Sequence, residues 1–348
     1  MTISIGNHIL GNSFPCFIIA EAGVNHNGSL DIACKLIDVA ADAGADAIKF
    51  QTFHADQLVT VEAPRASYQI QNSDNDESQY EMLQRLALSL NDHKELFDYC
   101  RQRNILFLST PFDKKSVDLL DELGVPAFKI PSGEITNHTF LEYIARKGKP
   151  LVISTGMSTL GEVDQAIETV ESAGNRSFVL LHCVSNYPAE VADVNLRAMH
   201  TMQAAFGKPV GYSDHTLGIE VSLAAVALGA IVVEKHFTLD RSMSGPDHKA
   251  SLEPNELVAM IQGIRKVESA LGNGRKRPAA SEANTASVAR KSLVAGVDLA
   301  AGTLLTGEMI ETKRPGTGLP PIMHPYLIGR ILKQDVKAGT LLGLDMMI

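Results

Sequence analysis

Eight short apolar runs alternate with helix-like segments along this chain, and that alternation limits the possible folds more than any other feature. The runs lie at residues 17–21, 47–51, 105–110, 127–131, 151–154, 178–182, 209–213 and 231–236. Nearly continuous apolar runs of this length fit strands buried on both faces of a parallel sheet. The segments between them carry helix signals. Ser29 can cap a helix bearing Ala33, Leu36, Ile37 and Ala40 that stops at Gly44. Asn91 can cap another with Leu96, Phe97 and Cys100, and Asn137 a third through Ile144 that stops at Gly148. Further helices are expected over 114–123, 160–173 and 217–228, each followed by a glycine. Pro254 opens the last, with Leu257, Met260, Ile261, Ile264 and Val267 on one face. Eight β/α alternations in the first 272 residues predict an α/β fold, a closed (β/α)8 TIM barrel. An open doubly wound sheet would be expected to carry G-x-G-x-x-G after its first strand, and that fingerprint is absent.

Composition fits a folded core. Hydrophobic residues make up 45% of the 348 positions and charged residues 20%. There is no apolar run near membrane-spanning length and no basic-then-apolar leader at the N-terminus, so a cytoplasmic protein without membrane contact is expected. The four cysteines form no C-x-x-C pair and read as reduced thiols. A net charge of −9 argues against nucleic acid as a partner. It leaves room for a local basic pocket.

The pattern breaks after residue 272. Residues 273–286 read as a linker whose Arg275-Lys276-Arg277 triplet is a solvated face. Residues 287–348 read as a small β-rich unit of short strands and glycine turns, expected at 292–295, 302–305, 329–332 and 338–342. It repeats a phrase: Asp298-Leu-Ala-Ala-Gly-Thr-Leu-Leu and Asp335-Val-Lys-Ala-Gly-Thr-Leu-Leu. A unit this small is marginal alone and is expected to pack on the barrel or on a partner chain. The connection from residue 53 to 90, with its polar stretch 69–79, is long for a barrel and is expected to cover a site.

Catalytic groups of a (β/α)8 barrel collect at the C-terminal ends of the strands. Such polar residues stand there on every expected strand except the third, which ends Ser109-Thr110 with only the threonine in place: Glu21 with Asn25 and His26; Lys49 and Gln51; Lys129, Ser132 and Glu134; Ser154 and Thr155; His182, Ser185, Asn186 and Tyr187; Ser213, Asp214 and His215; Glu234 and His236, with Asp247 beyond. Lys49 and Lys129 with Ser132, Ser154 and Ser213 are equipment for a phosphate or carboxylate; the alternative is that both lysines pair with Glu21 or Glu134 as structural ion pairs. His215 and His236 end adjacent strands and could share a divalent ion, with Asp247 and Glu234 nearby, or be core histidines. Glu21 is either a general acid/base or a lysine partner.

Several phrases together resemble one family: Ile19-Ala-Glu-Ala-Gly-Val-Asn-His-Asn-Gly, Ile48-Lys-Phe-Gln-Thr, Leu108-Ser-Thr-Pro-Phe, Phe128-Lys-Ile-Pro-Ser-Gly-Glu, Ile153-Ser-Thr-Gly-Met, Gly211-Tyr-Ser-Asp-His, Glu234-Lys-His-Phe-Thr-Leu-Asp and Met243-Ser-Gly-Pro-Asp-His. They are similar to the sialic acid (nonulosonate) synthases, and Thr312-Lys-Arg-Pro-Gly-Thr-Gly resembles the antifreeze-like SAF domain that ends those enzymes. The resemblance implies a condensation of phosphoenolpyruvate with N-acetylmannosamine and water, giving N-acetylneuraminate and phosphate by C–O cleavage. The alternative acceptor is 2,4-diacetamido-2,4,6-trideoxymannose, giving legionaminate; a non-catalytic carbohydrate-binding protein is a third reading. The resemblance also implies Mn²⁺ or Mg²⁺ on His215 and His236, and Glu21 handling protons. Phosphoenolpyruvate would be held by Lys49, Lys129, Ser132, Ser154, Ser185 and Ser213. The sugar would be held by Gln51, Thr110, Glu134, Tyr187 and Asp247. It implies a domain-swapped homodimer in which Arg314 of the C-terminal unit reaches the partner's sugar. Some members carry an asparagine where this chain has Ser185, with Asn186 adjacent.

Overall fold

The computed structural model describes residues 2–66, 69–70 and 77–348. Ser67, Tyr68 and residues 71–76, part of the long connection singled out above, lie outside the described residues. The chain forms two compact units, Met1–Gly272 and Asn273–Ile348.

The first unit opens with a hairpin, β1 (Ile3–Ile5) and β2 (His8–Leu10), which pair antiparallel. Eight parallel strands follow: β3 (Phe17–Gly23), β4 (Ala47–Thr52), β5 (Leu106–Pro111), β6 (Phe128–Ile130), β7 (Leu151–Ser154), β8 (Phe178–Cys183), β9 (Val210–Asp214) and β10 (Val232–His236). Their order in the sheet is β5-β4-β3-β10-β9-β8-β7-β6, and β5 and β6 lie side by side, so the sheet comes round on itself. This is the expected (β/α)8 barrel. All eight apolar runs are strands, with bounds shifted by a residue or two.

The helices of this unit are α1 (Leu30–Ala43), α2 (Ala55–Leu58), α3 (Gln79–Leu86), α4 (Leu90–Gln102), α5 (Lys114–Leu123), α6 (His138–Ala145), α7 (Leu160–Ser172), α8 (Ala198–Phe206), α9 (Glu220–Ala227) and α10 (Pro254–Leu271). Ser29 caps α1 and Gly44 ends it in the left-handed region, as its sequence indicates. Ser89, not Asn91, caps α4: its hydroxyl accepts from Asp92 N while the Asp92 carboxylate accepts from Ser89 N, a reciprocal box that puts Asn91 inside the first turn. No helix among the described residues is long and apolar enough to cross a membrane.

Side chains alternate along each strand. The outward set, including Ile18, Ile48, Phe107, Phe128, Ile153, Leu180, Tyr212 and Val233, packs under the helices in the main core. The inward set is apolar at the strands' N-terminal ends: Phe17, Ile19, Ala47, Leu108, Ala127, Val152, Val179, Leu181 and Val232 form a second core. Ile3, Ile5 and Leu10 of the hairpin join it, so the hairpin plugs that end of the barrel. Toward the C-terminal ends the same inward positions turn polar.

In the second unit, β11 (Ser292–Ala295) pairs antiparallel with β12 (Ile310–Lys313), and Leu293, Leu299, Leu305, Leu327, Leu332 and Leu342 share its core with two short helices, α11 (Ala283–Ala289) and α12 (His324–Leu327). Of the four expected strands only 292–295 is one. Leu304 with Ile331 and Val294 with Leu341 make single bridges instead, and the partner strand β12 shows only Ile310 buried, leaving no alternation to read. The two related phrases cross. Leu299 and Val336 exchange backbone hydrogen bonds of 2.8 Å, Asp298 Oδ1 accepts from Ala338 N, and Asp335 Oδ1 accepts from Ala301 N, both at 2.8 Å.

Candidate active site

A cavity of about 440 Å³ opens at the C-terminal ends of the barrel strands. Glu21, Lys49, Gln51, Thr110, Lys129, Ser132, Ser154, Ser185, Tyr187, Ser213, His215, His236 and Asp247 all line it, as does Glu234. Thirteen of the fifteen site residues expected from the sequence therefore meet in one place. Glu134 is not among the lining residues; its carboxylate accepts from Asn137 Nδ2 at 2.7 Å, at the cap of α6. Arg314 belongs to the second unit, where its Nε donates to the Ala289 carbonyl at 3.0 Å. Ser109, His182 and Asp214, also polar strand ends, point outward. Asp214 pairs with Lys235 at 3.0 Å under full burial, Ser109 meets Thr52 at 2.7 Å, and His182 Nε2 meets the Val194 carbonyl at 2.7 Å.

The floor of the cavity is a buried ionic network. Lys49 Nζ lies 2.8 Å from both Glu21 Oε2 and Thr110 Oγ1, and 3.9 Å from Glu234 Oε1. Lys129 Nζ lies 3.3 Å from Glu234 Oε1, and Ser213 Oγ donates to that same oxygen at 3.1 Å. Two ammonium groups thus face two carboxylates, all nearly out of water. Burial drives the Glu21 carboxyl upward against Lys49. Burial also works to raise Glu234, but Lys129 and Lys49 outweigh it and hold its carboxyl below the usual range. Burial lowers Lys129, with Glu234 opposing. Asp247 is pushed up to about 6 by burial, against the pull of Lys49. The sequence named Glu234 only as a neighbour of the histidines; its place between both lysines was legible only from the register, since it stands one inward position before His236.

Buried polar atoms left without a hydrogen-bond partner mark a site built for something else. Ser154 Oγ, Glu234 Oε2 and His236 Nδ1 are such atoms in this cavity. Beside them Gly156 N donates to Ser132 Oγ at 2.9 Å, and Ser132 Oγ lies 3.2 Å from Cys183 Sγ. The ammonium groups and hydroxyls of this lining suit a phosphate or carboxylate, and the Gly156 N–H, spent on Ser132 Oγ, holds one of those hydroxyls in place.

His215 and His236 stand with ring centroids 5.7 Å apart, and the Tyr187 ring lies 4.2 Å from His215 and 5.6 Å from His236. Burial lowers His215 to about 4 and holds His236 well below its ordinary value, with the His215 charge adding to the effect, so both are neutral imidazoles at pH 7. The His215 Nδ1–H donates to the Val184 carbonyl at 2.6 Å, which fixes the tautomer and leaves the Nε2 lone pair as an acceptor, 3.4 Å from Ser213 Oγ. Neutral imidazoles with an open lone pair and an unpartnered ring nitrogen fit a divalent ion with positions left for substrate or water. Among the described residues no cluster of three or more histidines, cysteines, aspartates and glutamates forms a closed metal cage.

The long connection walls the cavity. Leu58 of α2 and Met82, Leu83 and Leu86 of α3 line it, together with Val24 and Phe112. Val24, Phe53, Met82 and Leu86 form a small core of their own under this segment. Among the described residues, Gln69 and Gln79 are the polar residues of the connection in the lining.

Fold and site define a (β/α)8-barrel enzyme with an anion cradle beside paired imidazoles at its mouth. The chain belongs to the NeuB family, whose model matches residues 36–276, and a SAF domain matches residues 290–347. It is 50% identical over 327 residues to N,N'-diacetyllegionaminic acid synthase of Campylobacter jejuni, covering 93% of this chain and 98% of that protein. It is 49% identical over 336 residues to the protein of the same name from Legionella pneumophila, covering 95% and 94%. Among solved structures, an N-acetylneuraminic acid (sialic acid) synthetase from Leptospira borgpetersenii is similar at 38% identity and a TM-score of 0.72, over 82% of this chain and 95% of that one. The chain is accordingly a phosphoenolpyruvate-dependent condensing transferase of the sialic acid synthase type.

Proposed function

We propose that the chain is an N,N'-diacetyllegionaminic acid synthase, joining phosphoenolpyruvate to 2,4-diacetamido-2,4,6-trideoxymannose with consumption of water and release of phosphate. The observation that carries this reading is the near-50% identity, over more than nine-tenths of both chains, to two proteins of that name from different organisms. It displaces N-acetylmannosamine, the acceptor first expected from the sequence, to second place.

In this reading Lys49, Lys129, Ser132, Ser154, Ser185 and Ser213 hold the phosphate and carboxylate of phosphoenolpyruvate. Gln51, Thr110, Tyr187 and Asp247 orient the acceptor so that its aldehyde carbon faces C3 of the donor. A divalent ion, Mn²⁺ or Mg²⁺, held by His215 and His236, supplies Lewis acidity toward the acceptor's carbonyl oxygen. As the C3–C1 bond forms, the donor C2=C3 and the acceptor C1=O π bonds open, and the acceptor oxygen takes up a proton; water adds at C2, giving up a proton, and the C2–O bond breaks as phosphate leaves and C2 becomes the keto carbon. Glu21, whose raised carboxyl can hold or release a proton near neutral pH, moves the proton of that water. Burial of the floor keeps bulk water from the enol ether. We further propose a homodimer in which Arg314 serves the partner's cavity, a reading supported by the resemblance of residues 312–318. The four free cysteines suit a reducing cytoplasm.

The test is phosphate release from phosphoenolpyruvate with Mn²⁺ and each sugar separately. Strong preference for the diacetamido sugar, abolished by a chelator, is expected. Preference for N-acetylmannosamine would make the enzyme an N-acetylneuraminate synthase, and release with neither sugar would overturn the condensing reaction.

A further inference from the structure

Each of the two cavity histidines follows one member of an ion pair on the outer face of the sheet. Asp214 precedes His215, and Lys235 precedes His236. The two stand opposite each other in the β9–β10 register, with Lys235 Nζ 3.0 Å from Asp214 Oδ2. Both are out of water, as are Thr216 and Ser222 around them. The pair grips the turn after β9 from two sides. Asp214 Oδ1 accepts from Thr216 N at 2.9 Å and from Thr216 Oγ1 at 2.8 Å, while Lys235 Nζ donates to the Thr216 carbonyl at 2.5 Å. Ser222 Oγ of α9 donates to Asp214 Oδ2 at 2.6 Å. His215 therefore sits between two residues that the same pair holds, and its ring is fixed separately by the Val184 carbonyl.

We infer that Asp214 and Lys235 are positioning residues for the histidine pair, holding the ends of β9 and β10 at the spacing that lets His215 and His236 share one divalent ion. The inference rests on the metal role proposed above. Neither side chain is among the residues lining the cavity, so any effect on an ion there passes through the histidines. A buried ion pair is a poor source of stability, because lost hydration offsets the attraction between the charges. What this one supplies is geometry, since its directional bonds tie together two strands, a turn and a helix. An apolar pair could fill the same volume but would offer nothing to the amide, hydroxyl and carbonyl of Thr216. Two ligands on separate strands hold an ion well when their separation is set before the ion arrives; otherwise binding must order the turn as well.

The experiment measures Mn²⁺ binding to the substrate-free protein by electron paramagnetic resonance of the free ion, with a urea midpoint for each protein. The proteins are wild type, His236→Ala, the double variant Asp214→Asn with Lys235→Met, and Thr216→Val. Wild type is expected to bind Mn²⁺, and His236→Ala is not. The double variant removes both buried charges together and so leaves neither unpaired. It should weaken Mn²⁺ binding about 10- to 100-fold. At saturating Mn²⁺ it should regain turnover and keep the wild-type KM for phosphoenolpyruvate. Thr216→Val removes only the hydroxyl bond to Asp214 and should weaken Mn²⁺ binding about threefold. Unchanged Mn²⁺ affinity in the folded double variant, or a KM for phosphoenolpyruvate raised in the same proportion, makes the pair merely structural and overturns the inference while the metal role stands. If the double variant does not fold, unchanged affinity in Thr216→Val overturns it in the same way. If wild type binds no Mn²⁺, or His236→Ala binds it equally, the metal role itself falls and takes the inference with it.

Discussion

No side chain fits at Gly156. A Cβ there would lie 2.3 Å from Ser185 Oγ, 2.9 Å from Ser132 Oγ and 3.0 Å from Cys183 Sγ, too close for all three. Because the cradle hydroxyls are in the way, Gly156→Ala should push Ser132 and Ser185 off their positions and raise the KM for phosphoenolpyruvate about tenfold or more. Steady-state kinetics check this, and an unchanged KM would remove those serines from the donor site. The residue scale is also where the sequence was most informative. An inward strand residue two places after a buried apolar one points into the mouth, as Lys49 does after Ala47, Ser154 after Val152 and Ser213 after Gly211. Spacing alone does not separate them from Ser109 and Asp214, which also stand two places after buried apolar residues, Phe107 and Tyr212, but on the outward face. It fails for Glu134, which lies beyond its strand in a 3₁₀ turn where the period of two no longer holds.

At the scale of elements, the barrel strands were legible because a strand covered on both faces leaves an apolar run. The plugging hairpin was not. Its strands are three residues each, buried-exposed-buried in β1 and half-buried-exposed-buried in β2, too few positions to distinguish from an irregular start. Its contribution is testable apart from chemistry, since it closes the end of the barrel away from the cavity. Ile5 is fully buried there, so Ile5→Ala should lower unfolding free energy by about 2–5 kcal/mol in urea titrations while leaving kcat/KM alone. A large loss of activity at native temperature in the folded variant would contradict the separation of plug and mouth. The wall of the cavity was foreshadowed only by length, because a connection of this size needs a reason to exist. Which of its residues face inward depended on α3, whose Met82 and Leu86 are one helical turn apart and buried on one side.

For the molecule as a whole, buried titratable groups set a pH dependence. Burial first of all lowers His26, His215 and His248 to about 4 and holds His236 well below its ordinary value, so these stay neutral in the folded chain. A histidine with a depressed folded value stabilises above its ordinary 6.5 and loses that contribution as pH falls. Glu21 and Asp247, both raised by burial, act in the opposite direction, since they hold protons that the unfolded chain releases. The lowered imidazoles outnumber the raised carboxyls, so unfolding takes up protons on balance and stability falls as pH drops below the histidines' ordinary value. Urea midpoints should therefore drop steadily from pH 6.5 toward 4.5; a flat profile would show that these histidines are not buried as described. The proposed dimer has its own test. Mixing Glu21→Ala chains with Arg314→Ala chains should restore up to about a quarter of wild-type activity, because half of randomly formed dimers then contain one intact site. No recovery in verified mixed dimers would count against a shared site. The crossing phrases of the second unit, finally, constrain length. Each phrase's aspartate satisfies an amide of the other, so the two related stretches form a mutual lock. An insertion or deletion between aspartate and alanine in either phrase would strand its counterpart's hydrogen bond, and the two halves can drift in sequence far more freely than in length.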